Sequence, residues 1–233
     1  MENQSMPNEH TGHRKRMKER FLDTRFDGYQ EHEILEMILY YVYPRTDTNP
    51  LAHRLLREFG SLSAIFDARI DTLVGAGLTQ NAALFLTMIP DISRVYLDDR
   101  NNNKSKIIDF ENLGDYFIPK FIGRDEEVMI LLLADAKGKE LYSGVVSKGS
   151  FTASEAPIRR IVDLAMRYNA ATAAIAHNHP SGVALPSRSD IDATKEVCKA
   201  LNLVGVLMVD HLIVADDDFV SIRDTQLCDE LLC

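Results

Sequence analysis

The residues best able to support metal chemistry lie in one short segment, which contains His177, His179 and Asp190. In an extended chain, residues i and i+2 project to the same side, so His177 and His179 can direct both imidazoles to one point. Pro180 keeps His179 extended, and the loop that follows can return the chain so that Asp190 reaches the same point. Two imidazoles and a carboxylate suit a zinc ion and leave one coordination position for water. The spacing therefore predicts a catalytic zinc site that activates water for hydrolysis.

A purely structural interpretation of the same segment is also possible. Ser187 to Asp190, directly after a proline, fits a helix N-terminus with Ser187 as the cap and Asp190 as a favourable carboxylate in the first turn. The two histidines would then be ordinary loop residues. We favour the metal site, because the histidines, the prolines and Asp190 fall together between an apolar strand and an amphipathic helix.

The elements around this segment follow the pattern of an α/β domain. The apolar run 170–176 predicts a buried strand that leads into the histidine loop, and 187–201 predicts the amphipathic helix after it. Upstream, 126–150 predicts a β-hairpin with an Asp-Ala-Lys-Gly turn, and a helix is expected at about 155–169. Residues 203–222 predict two further strands. Strands that alternate with helices favour an α/β fold.

A polar segment at 98–105 contains no apolar residue and is rich in turn formers. We therefore predict a domain boundary there, with one domain at 1–103 and a second at 104–233. Segments before the boundary have apolar residues at spacings of three and four, separated by proline and glycine. This pattern predicts a small all-α domain ahead of the α/β domain.

Composition restricts the class of protein. The chain has 233 residues, 45% of them hydrophobic, and its polar N-terminus and lack of a long apolar run favour a cytoplasmic protein without a membrane span. Three cysteines without CxxC spacing support neither a disulfide framework nor a cysteine zinc site. The net charge of −9 opposes binding to nucleic acid. The basic stretch 13–20 is a candidate phosphate contact, but it also fits the solvated face of a first helix.

The histidine segment also resembles a known motif. HxHP followed by Ser-x-x-Asp, as in His177 to Asp190, resembles the JAMM motif of MPN-domain metalloproteases, also called JAB domains. The stretches AAIAHNHPSGVALPSRSDI, VDHLIVA, GHRKRMKERF and TNPLAHRLLREFGSL resemble the bacterial RadC family over nearly the whole chain. The resemblance implies an MPN/JAB fold with a mixed sheet flanked by helices. It also implies that His177, His179 and Asp190 bind Zn²⁺ and that Ser187 stabilises the oxyanion of a tetrahedral intermediate.

The same resemblance implies a glutamate that acts as general acid and base at the start of an early strand. Glu127, which precedes the apolar run 128–133, is the matching position, whereas Glu126 would point to the opposite face. A carboxylate there can take a proton from water and pass it to the leaving amine. A solvated strand end is the alternative role for Glu127. Glu155 is a second candidate, although its place at the start of a helix also explains it.

Residues 73–83 resemble a helix-hairpin-helix, in which a Gly-hydrophobic-Gly turn exposes backbone amides to a DNA phosphate. In the aligned triplet Gly77-Leu78-Thr79, Thr79 replaces the second glycine and disfavours a positive φ. The triplet Gly75-Ala76-Gly77 restores the pattern in a shifted register. The sequence thus predicts a degenerate hairpin with weak DNA binding, or a module that serves only in packing or protein docking.

Other histidine-containing segments do not predict a metal site. His32 begins half of an HExxH pattern whose second histidine is missing, so we interpret it as structural. His211 lies inside an apolar strand, where a core histidine or one that supports a ligand is expected rather than a ligand. A cytidine-deaminase site is excluded, because neither H-x-E nor P-C-x-x-C occurs.

Three functions follow from these patterns. The first is a zinc-dependent metallohydrolase of the JAMM type that cleaves a peptide or isopeptide bond in a peptide or protein-conjugate substrate. The second, which rests on the hairpin and the basic first helix, is a DNA-associated accessory protein in repair or mobile-element biology. The third is a metal-stabilised interaction domain without turnover. No residue pattern in the sequence names the substrate.

Overall fold

The computed structural model describes residues 9–101, 107–149, 157–225 and 227–228. The chain divides into two compact units, Met1–Ile92 and Ser93–Cys233, and the division falls within one long helix. The boundary predicted between residues 103 and 104 lies outside the described residues and stays a prediction. In the described part of the chain, no helix is long and apolar enough to cross a membrane.

The first unit consists of helices, as the apolar spacing predicts. Its core is formed by buried leucines and isoleucines from five of them, including Leu35, Leu55, Ile65, Leu73 and Leu86. In chain order the helices are α1 (Glu9–Thr24), α2 (Glu31–Leu39), α3 (Asn49–Phe59), α4 (Leu62–Phe66), α5 (Ile70–Gly75) and α6 (Gln80–Asn101).

The turn between α5 and α6 has its positive φ at one glycine of the predicted hairpin. Gly77 has a φ of +96°, whereas neither Gly75, the last residue of α5, nor Thr79 is among the residues with positive φ. The Thr79 hydroxyl accepts a hydrogen bond from the Ala82 amide at 3.2 Å, at the start of α6. Thr79 thus contacts the helix start in the manner of a cap, where threonine is favoured, and it does not adopt the positive φ that would disfavour it. The choice between the two hairpin registers stays a prediction.

The basic stretch of α1 is partly used inside the first unit. The Arg14 guanidinium donates to the carbonyls of Tyr43 and Pro44 at 2.8 and 2.7 Å. Arg20 donates to the Glu33 carboxylate at 3.0 Å. These two side chains thus attach α1 to the segments around it, and their hydrogen bonds stabilise the fold of the first unit. The basic side chains of this stretch that are exposed are Lys15, Arg16 and Lys18.

The second unit is built around a mixed sheet. After α6, the elements of this unit are α7 (Leu113–Phe117), a 3-10 helix (Ile118–Phe121), β1 (Val128–Ala134), β2 (Glu140–Lys148), α8 (Ile158–Arg167), β3 (Thr172–Asn178), α9 (Arg188–Leu203), β4 (Leu207–Ala215), β5 (Asp218–Ser221) and α10 (Ile222–Thr225). The strand order is β2-β1-β3-β4-β5, in which β1 is antiparallel to β2 and β3, β3 is parallel to β4, and β4 is antiparallel to β5. This confirms the predicted fold, a mixed sheet flanked by helices.

Helices cover both faces of this sheet. On one face Ile175 packs in a buried cluster with Val197 of α9, and α8 contributes to the same cluster. On the other face Ile130 packs in a cluster with Phe117 of α7. Because side chains alternate along a strand, His177 lies on the same face as Ile175, beneath α9. This alternation determines which helix can complete a site around the histidine.

Candidate metal centre

The three predicted ligands come from the end of one strand and the start of the next helix. His177 and Asn178 are the last residues of β3, His179 follows directly, and Asp190 is in the first turn of α9. The strand runs further than its apolar run, because the His179 amide still donates to the Val214 carbonyl of β4 at 2.8 Å. His177 is consequently fully buried, whereas His179 is partly exposed.

Ligand atoms from these three side chains converge. One atom each from His177, His179 and Asp190 lies within 4.8 Å of the others, and in the described part of the chain no other group of histidine, cysteine and acidic side chains does so. His177 Nε2 lies 3.0 Å from His179 Nε2 and 3.3 Å from Asp190 Oδ1. His179 Nε2 lies 3.6 Å from Asp190 Oδ2. The cluster could therefore hold a metal ion.

These separations fit a tetrahedral ion. Bonds of about 2.05 Å from zinc to nitrogen and oxygen place any two ligand atoms of a tetrahedron roughly 3.3 Å apart. The two imidazole nitrogens are 3.0 Å apart, His177 Nε2 is 3.3 Å from one Asp190 oxygen, and His179 Nε2 is 3.6 Å from the other, so each separation is close to that value. Two imidazoles and one carboxylate, without a thiolate, make a three-ligand set that leaves one vertex for water or substrate. The residues present thus fit zinc, and they fit a catalytic better than a closed structural arrangement.

A tight turn sets which nitrogen of His179 faces the cluster. The Gly182 amide donates to the His179 carbonyl at 3.1 Å, and Gly182 has a φ of +77°. The turn returns the Val183 carbonyl to His179 Nδ1, 3.0 Å away. A carbonyl can only accept, so Nδ1 carries the proton and Nε2 has the lone pair. Metal-binding histidines are commonly oriented by such a bond.

His177 is supported from below by buried polar groups. Its Nδ1 lies 2.8 Å from His211 Nε2, and His211 Nδ1 lies 2.6 Å from Thr194 Oγ1. Burial, and next to it the neighbouring His177, lowers the pKa of His211 well below its ordinary value, so this ring is neutral. His211 is outside the ligand cluster, and its contact with His177 is that of a buried histidine that supports a ligand.

Asp190 both caps α9 and faces the histidines. Its Oδ2 accepts a hydrogen bond from the Ser187 amide at 2.7 Å, and its own amide donates to Ser187 Oγ at 3.2 Å, which forms a capping box. Burial acts to raise the pKa of Asp190, but the His177 ring and the bonds with Ser187 outweigh it and hold the pKa below its ordinary value. Asp190 is therefore an anion at neutral pH.

Ser187 has the cap role that the structural interpretation expected. Its oxygen accepts the Asp190 amide through a lone pair, so the hydroxyl hydrogen can still be donated to another group. Ser187 is exposed at the start of α9. The helix-cap role and the oxyanion role are thus chemically compatible in one side chain.

Glu127 is not among the residues whose ligand atoms converge. It directly precedes β1 and is half-buried. Met129 pairs with His177 in the antiparallel register, so extending this register by two residues brings Glu127 opposite His179. Alternation then directs the Glu127 side chain to the His177 face. Glu155, the other candidate base, lies outside the described residues.

Asn178 fixes the backbone around Glu127. Its Oδ1 accepts a hydrogen bond from the Val128 amide at 2.8 Å, and its amide nitrogen donates to the Glu126 carbonyl at 3.0 Å. The residue between the two histidines therefore holds the peptide units on both sides of Glu127. Sequence reasoning missed this role, because it depends on the pairing of β1 with β3.

Comparison with known proteins agrees with this geometry. Residues 107–227, which include all of the candidate site, match the family model described as RadC-like JAB domain. The UPF0758 protein FN0909 of Fusobacterium nucleatum subsp. nucleatum is 33% identical over 225 residues, which cover 93% of this chain and 97% of that protein. The chain belongs to the RadC-like family. The cluster of His177, His179 and Asp190 is thus a feature of its RadC-like JAB domain.

Sequence reasoning also missed the role of Thr194 in the RadC-like JAB domain, where its hydroxyl oxygen lies 2.6 Å from His211 Nδ1. The signal that could have found this role is its position four residues after Asp190, on the same face of α9. A threonine in an otherwise apolar buried face needs a hydrogen-bond partner. His211 could have been paired with it only through the register of β3 and β4, which the sequence does not specify.

Proposed function

We propose that this RadC-like protein is a zinc-dependent metallohydrolase of the JAMM type that cleaves a peptide or isopeptide bond. The observation that supports it is the convergence of His177, His179 and Asp190, whose ligand atoms lie within 4.8 Å of one another and form a donor set that suits zinc. When bound, zinc supplies a Lewis acid that makes water acidic near neutral pH and polarises a carbonyl oxygen.

Two further side chains carry out the remaining steps, which are proton transfer and stabilisation of the developing negative charge. Glu127 takes a proton from the attacking water and delivers it to the leaving amine. The register of β1 with β3, extended to Glu127, directs this side chain to the face of His177, which supports its role as a base. Ser187 donates its hydroxyl hydrogen to the oxygen that becomes negative as water adds to the carbonyl carbon. Asn178 keeps the Glu127 backbone in place through its two hydrogen bonds.

Zinc content tests the metal assignment. Purified wild-type protein dialysed against zinc should retain one equivalent, measured by atomic absorption, and His179→Ala should retain far less. His32→Ala is the matched control, because it removes a histidine of the first unit. A wild-type protein without stoichiometric zinc, or an unchanged His179→Ala variant, would contradict the proposal.

Hydrolysis can be tested without knowing the substrate. The zinc-loaded protein is incubated with a peptide library and with isopeptide-linked lysine conjugates in ¹⁸O-labelled water, and mass spectrometry detects new carboxyl groups that carry the label. Glu127→Gln should lose this labelling while it keeps zinc, since it removes the base and no ligand. If Glu127→Gln retained full labelling, Glu127 would not be the base. If wild type gave no labelling, the site would fit a metal-stabilised interaction domain.

A second candidate function, binding to DNA phosphates, is favoured by the hairpin of the first unit. Gly77 provides the positive φ that the tight turn requires, and Gly75 and Gly77 are both exposed. Arg54 of α3 donates to the Ala76 carbonyl at 3.3 Å, which places a cation at the same turn. Backbone amides at a helix start and a nearby cation are the groups that contact a phosphate without reading sequence.

Salt dependence tests this second candidate. Fluorescence anisotropy with duplex and branched DNA should show binding at low salt that weakens as salt increases, because bound counterions are released. Arg54→Gln should weaken binding, whereas Lys199→Gln, which removes an equal charge from the other unit, should not. An absence of binding at low salt, or binding insensitive to salt, would exclude the candidate.

A further inference from the structure

The hydrogen bonds beneath His177 have only one consistent direction. Thr194 Oγ1 lies 2.6 Å from the Asp190 carbonyl oxygen and 2.6 Å from His211 Nδ1. A carbonyl oxygen has no proton to donate, so the single hydroxyl hydrogen of Thr194 is directed to Asp190. The Thr194 oxygen must then accept from His211, and His211 Nδ1 carries the proton.

The protonation of His211 in turn determines that of the candidate ligand His177. His211, Thr194 and His177 are all fully buried. A neutral imidazole that is protonated on Nδ1 has only a lone pair on Nε2. His211 Nε2 therefore accepts, and the partner 2.8 Å away, His177 Nδ1, must donate. When the His177 ring is neutral, it is in turn left with a lone pair on Nε2, the atom that faces His179 and Asp190.

We infer that Thr194 and His211 are positioning residues. They connect His177 to the Asp190 carbonyl through a chain of hydrogen bonds, and the direction of these bonds fixes the metal-binding tautomer of His177. Most metal-binding histidines are oriented by direct contact with a carboxylate or carbonyl. His179 follows that pattern through Val183. His177 is buried within the sheet, and the carbonyl that orients it, that of Asp190, acts through the two intervening side chains of Thr194 and His211. The inference deepens the proposed function and rests on it for its purpose.

The arrangement has a consequence for the cluster itself. Both His177 Nε2 and His179 Nε2 then present lone pairs, and they lie 3.0 Å apart. The Asp190 carboxylate adds a third acceptor at 3.3 Å from His177 Nε2. A cation between these atoms would accept the lone pairs of both neutral rings together with a carboxylate oxygen. The two tautomers thus suit the cluster to a metal ion.

Nuclear magnetic resonance of the wild-type protein tests the relay directly. Long-range ¹H–¹⁵N correlations of the imidazole rings report which nitrogen of each histidine is protonated, with or without zinc. We expect proton occupancy on Nδ1 of His177 and of His211, and an unprotonated Nε2 on His211. A protonated His211 Nε2, or an unprotonated His177 Nδ1, would overturn the inference. This readout does not depend on activity or on zinc binding.

Variants then test whether the relay controls metal binding. Thr194→Val keeps the shape of the side chain but removes the hydroxyl, so we expect zinc affinity to fall by about 10- to 100-fold and the His211 proton to move to Nε2. Thr194→Ser restores the hydroxyl and should restore both properties. Thr172→Val is the matched control in β3 and should leave zinc affinity unchanged.

The outcomes separate the two claims. If Thr194→Val is folded by circular dichroism and binds zinc as wild type does, the relay is overturned while the zinc site stands. If wild type binds no zinc but shows the expected protonation pattern, the relay stands and the proposed hydrolase fails.

Discussion

At the scale of single residues, Gly182 connects backbone conformation to ligand orientation. Its φ of +77° is costly for any residue with a β-carbon, by about 1–2 kcal/mol. A β-carbon there would approach Asp216 no closer than 3.5 Å, so the cost is conformational and not a clash. We expect Gly182→Ala to lower the free energy of unfolding by about 1 kcal/mol. It should also weaken zinc binding, because the Val183 carbonyl moves away from His179 Nδ1. Urea unfolding and zinc titration measure the two effects.

Gly205→Ala is the control for this prediction. Gly205 has a φ of +74°, and nothing lies within 4 Å of the position that its β-carbon would take. The variant should lose similar stability but keep the zinc affinity of wild type. Equal zinc affinities for the two variants would show that the turn at Gly182 does not orient His179.

Asn178 gives a second prediction at this scale. In Asn178→Asp, the carboxylate can still accept from the Val128 amide but cannot donate to the Glu126 carbonyl. Loss of that buried bond should lower the free energy of unfolding by about 1–3 kcal/mol and should reduce turnover, because Glu127 is less firmly held. Zinc affinity should change little, since the hydrogen bonds that orient the two histidines, His177 to His211 and His179 to Val183, are both kept. Asn202→Asp, on the exposed surface of α9, should affect none of these properties. A large loss of zinc with normal turnover per bound zinc would contradict this role.

The convergence of the three candidate ligands could be predicted from the sequence, because these residues are near one another along the chain. Alternation along a strand, a turn and a helix start are sufficient to bring His177, His179 and Asp190 together. The supporting residues His211 and Asn178 could not be predicted in the same way. Their contacts depend on the register of β3 with β4 and with β1, and many registers are compatible with equally apolar strands.

At the scale of elements, α1 is attached to the first unit through charged side chains. Arg14 donates to three backbone carbonyls, those of Tyr43, Pro44 and Thr46, and lies over the Tyr40 ring. Arg14→Met keeps much of the side-chain length but leaves these carbonyls without their charged donor. We expect a loss of about 1.5–3 kcal/mol in the free energy of unfolding of this unit and faster hydrogen exchange in α1.

Lys15→Met is the matched control for this prediction. Lys15 is exposed and its contact with Glu19 is a surface pair at 3.8 Å, which contributes little. Similar stability losses for the two variants would show that the loss reflects the helix charge and not the hydrogen bonds of Arg14.

Elements with a strong apolar period were predicted, but their ends were not. The hairpin of β1 and β2, the strand before the histidines and the helix after them all form as expected. β3 nevertheless continues to Asn178, because hydrogen bonds to neighbouring strands stabilise polar residues that the hydrophobic pattern excludes. The strand order also lay beyond prediction, since β1 pairs with β3 across a long stretch of sequence.

At the scale of the whole molecule, zinc should stabilise the second unit selectively. Ligand that binds only the native state adds about 2.7 kcal/mol at a hundredfold excess over the dissociation constant. All three ligands belong to the second unit. Zinc should therefore slow hydrogen exchange in β3, β4 and α9, and a chelator should reverse the effect. Amides of α2 and α3 report on the first unit and should not respond.

His179→Ala provides the control for that experiment. The variant should fold, because His179 lies after the strand and is partly exposed, but its exchange should be insensitive to zinc. Equal protection of both units by zinc, or protection that persists in His179→Ala, would place the bound ion elsewhere.

The capping box at the start of α9 determines what an asparagine in place of Asp190 would do to the site. One oxygen of Asp190 holds the Ser187 amide, and the other faces His177. An asparagine in that position could keep the first contact through its carbonyl while its amide group donated a proton to the lone pair on His177. The lone pair of His177 would then accept an internal hydrogen bond and would no longer be available to an ion. Replacement of one Asp190 oxygen by an amide group would thus separate a self-contained helix cap from a site that can hold a metal ion.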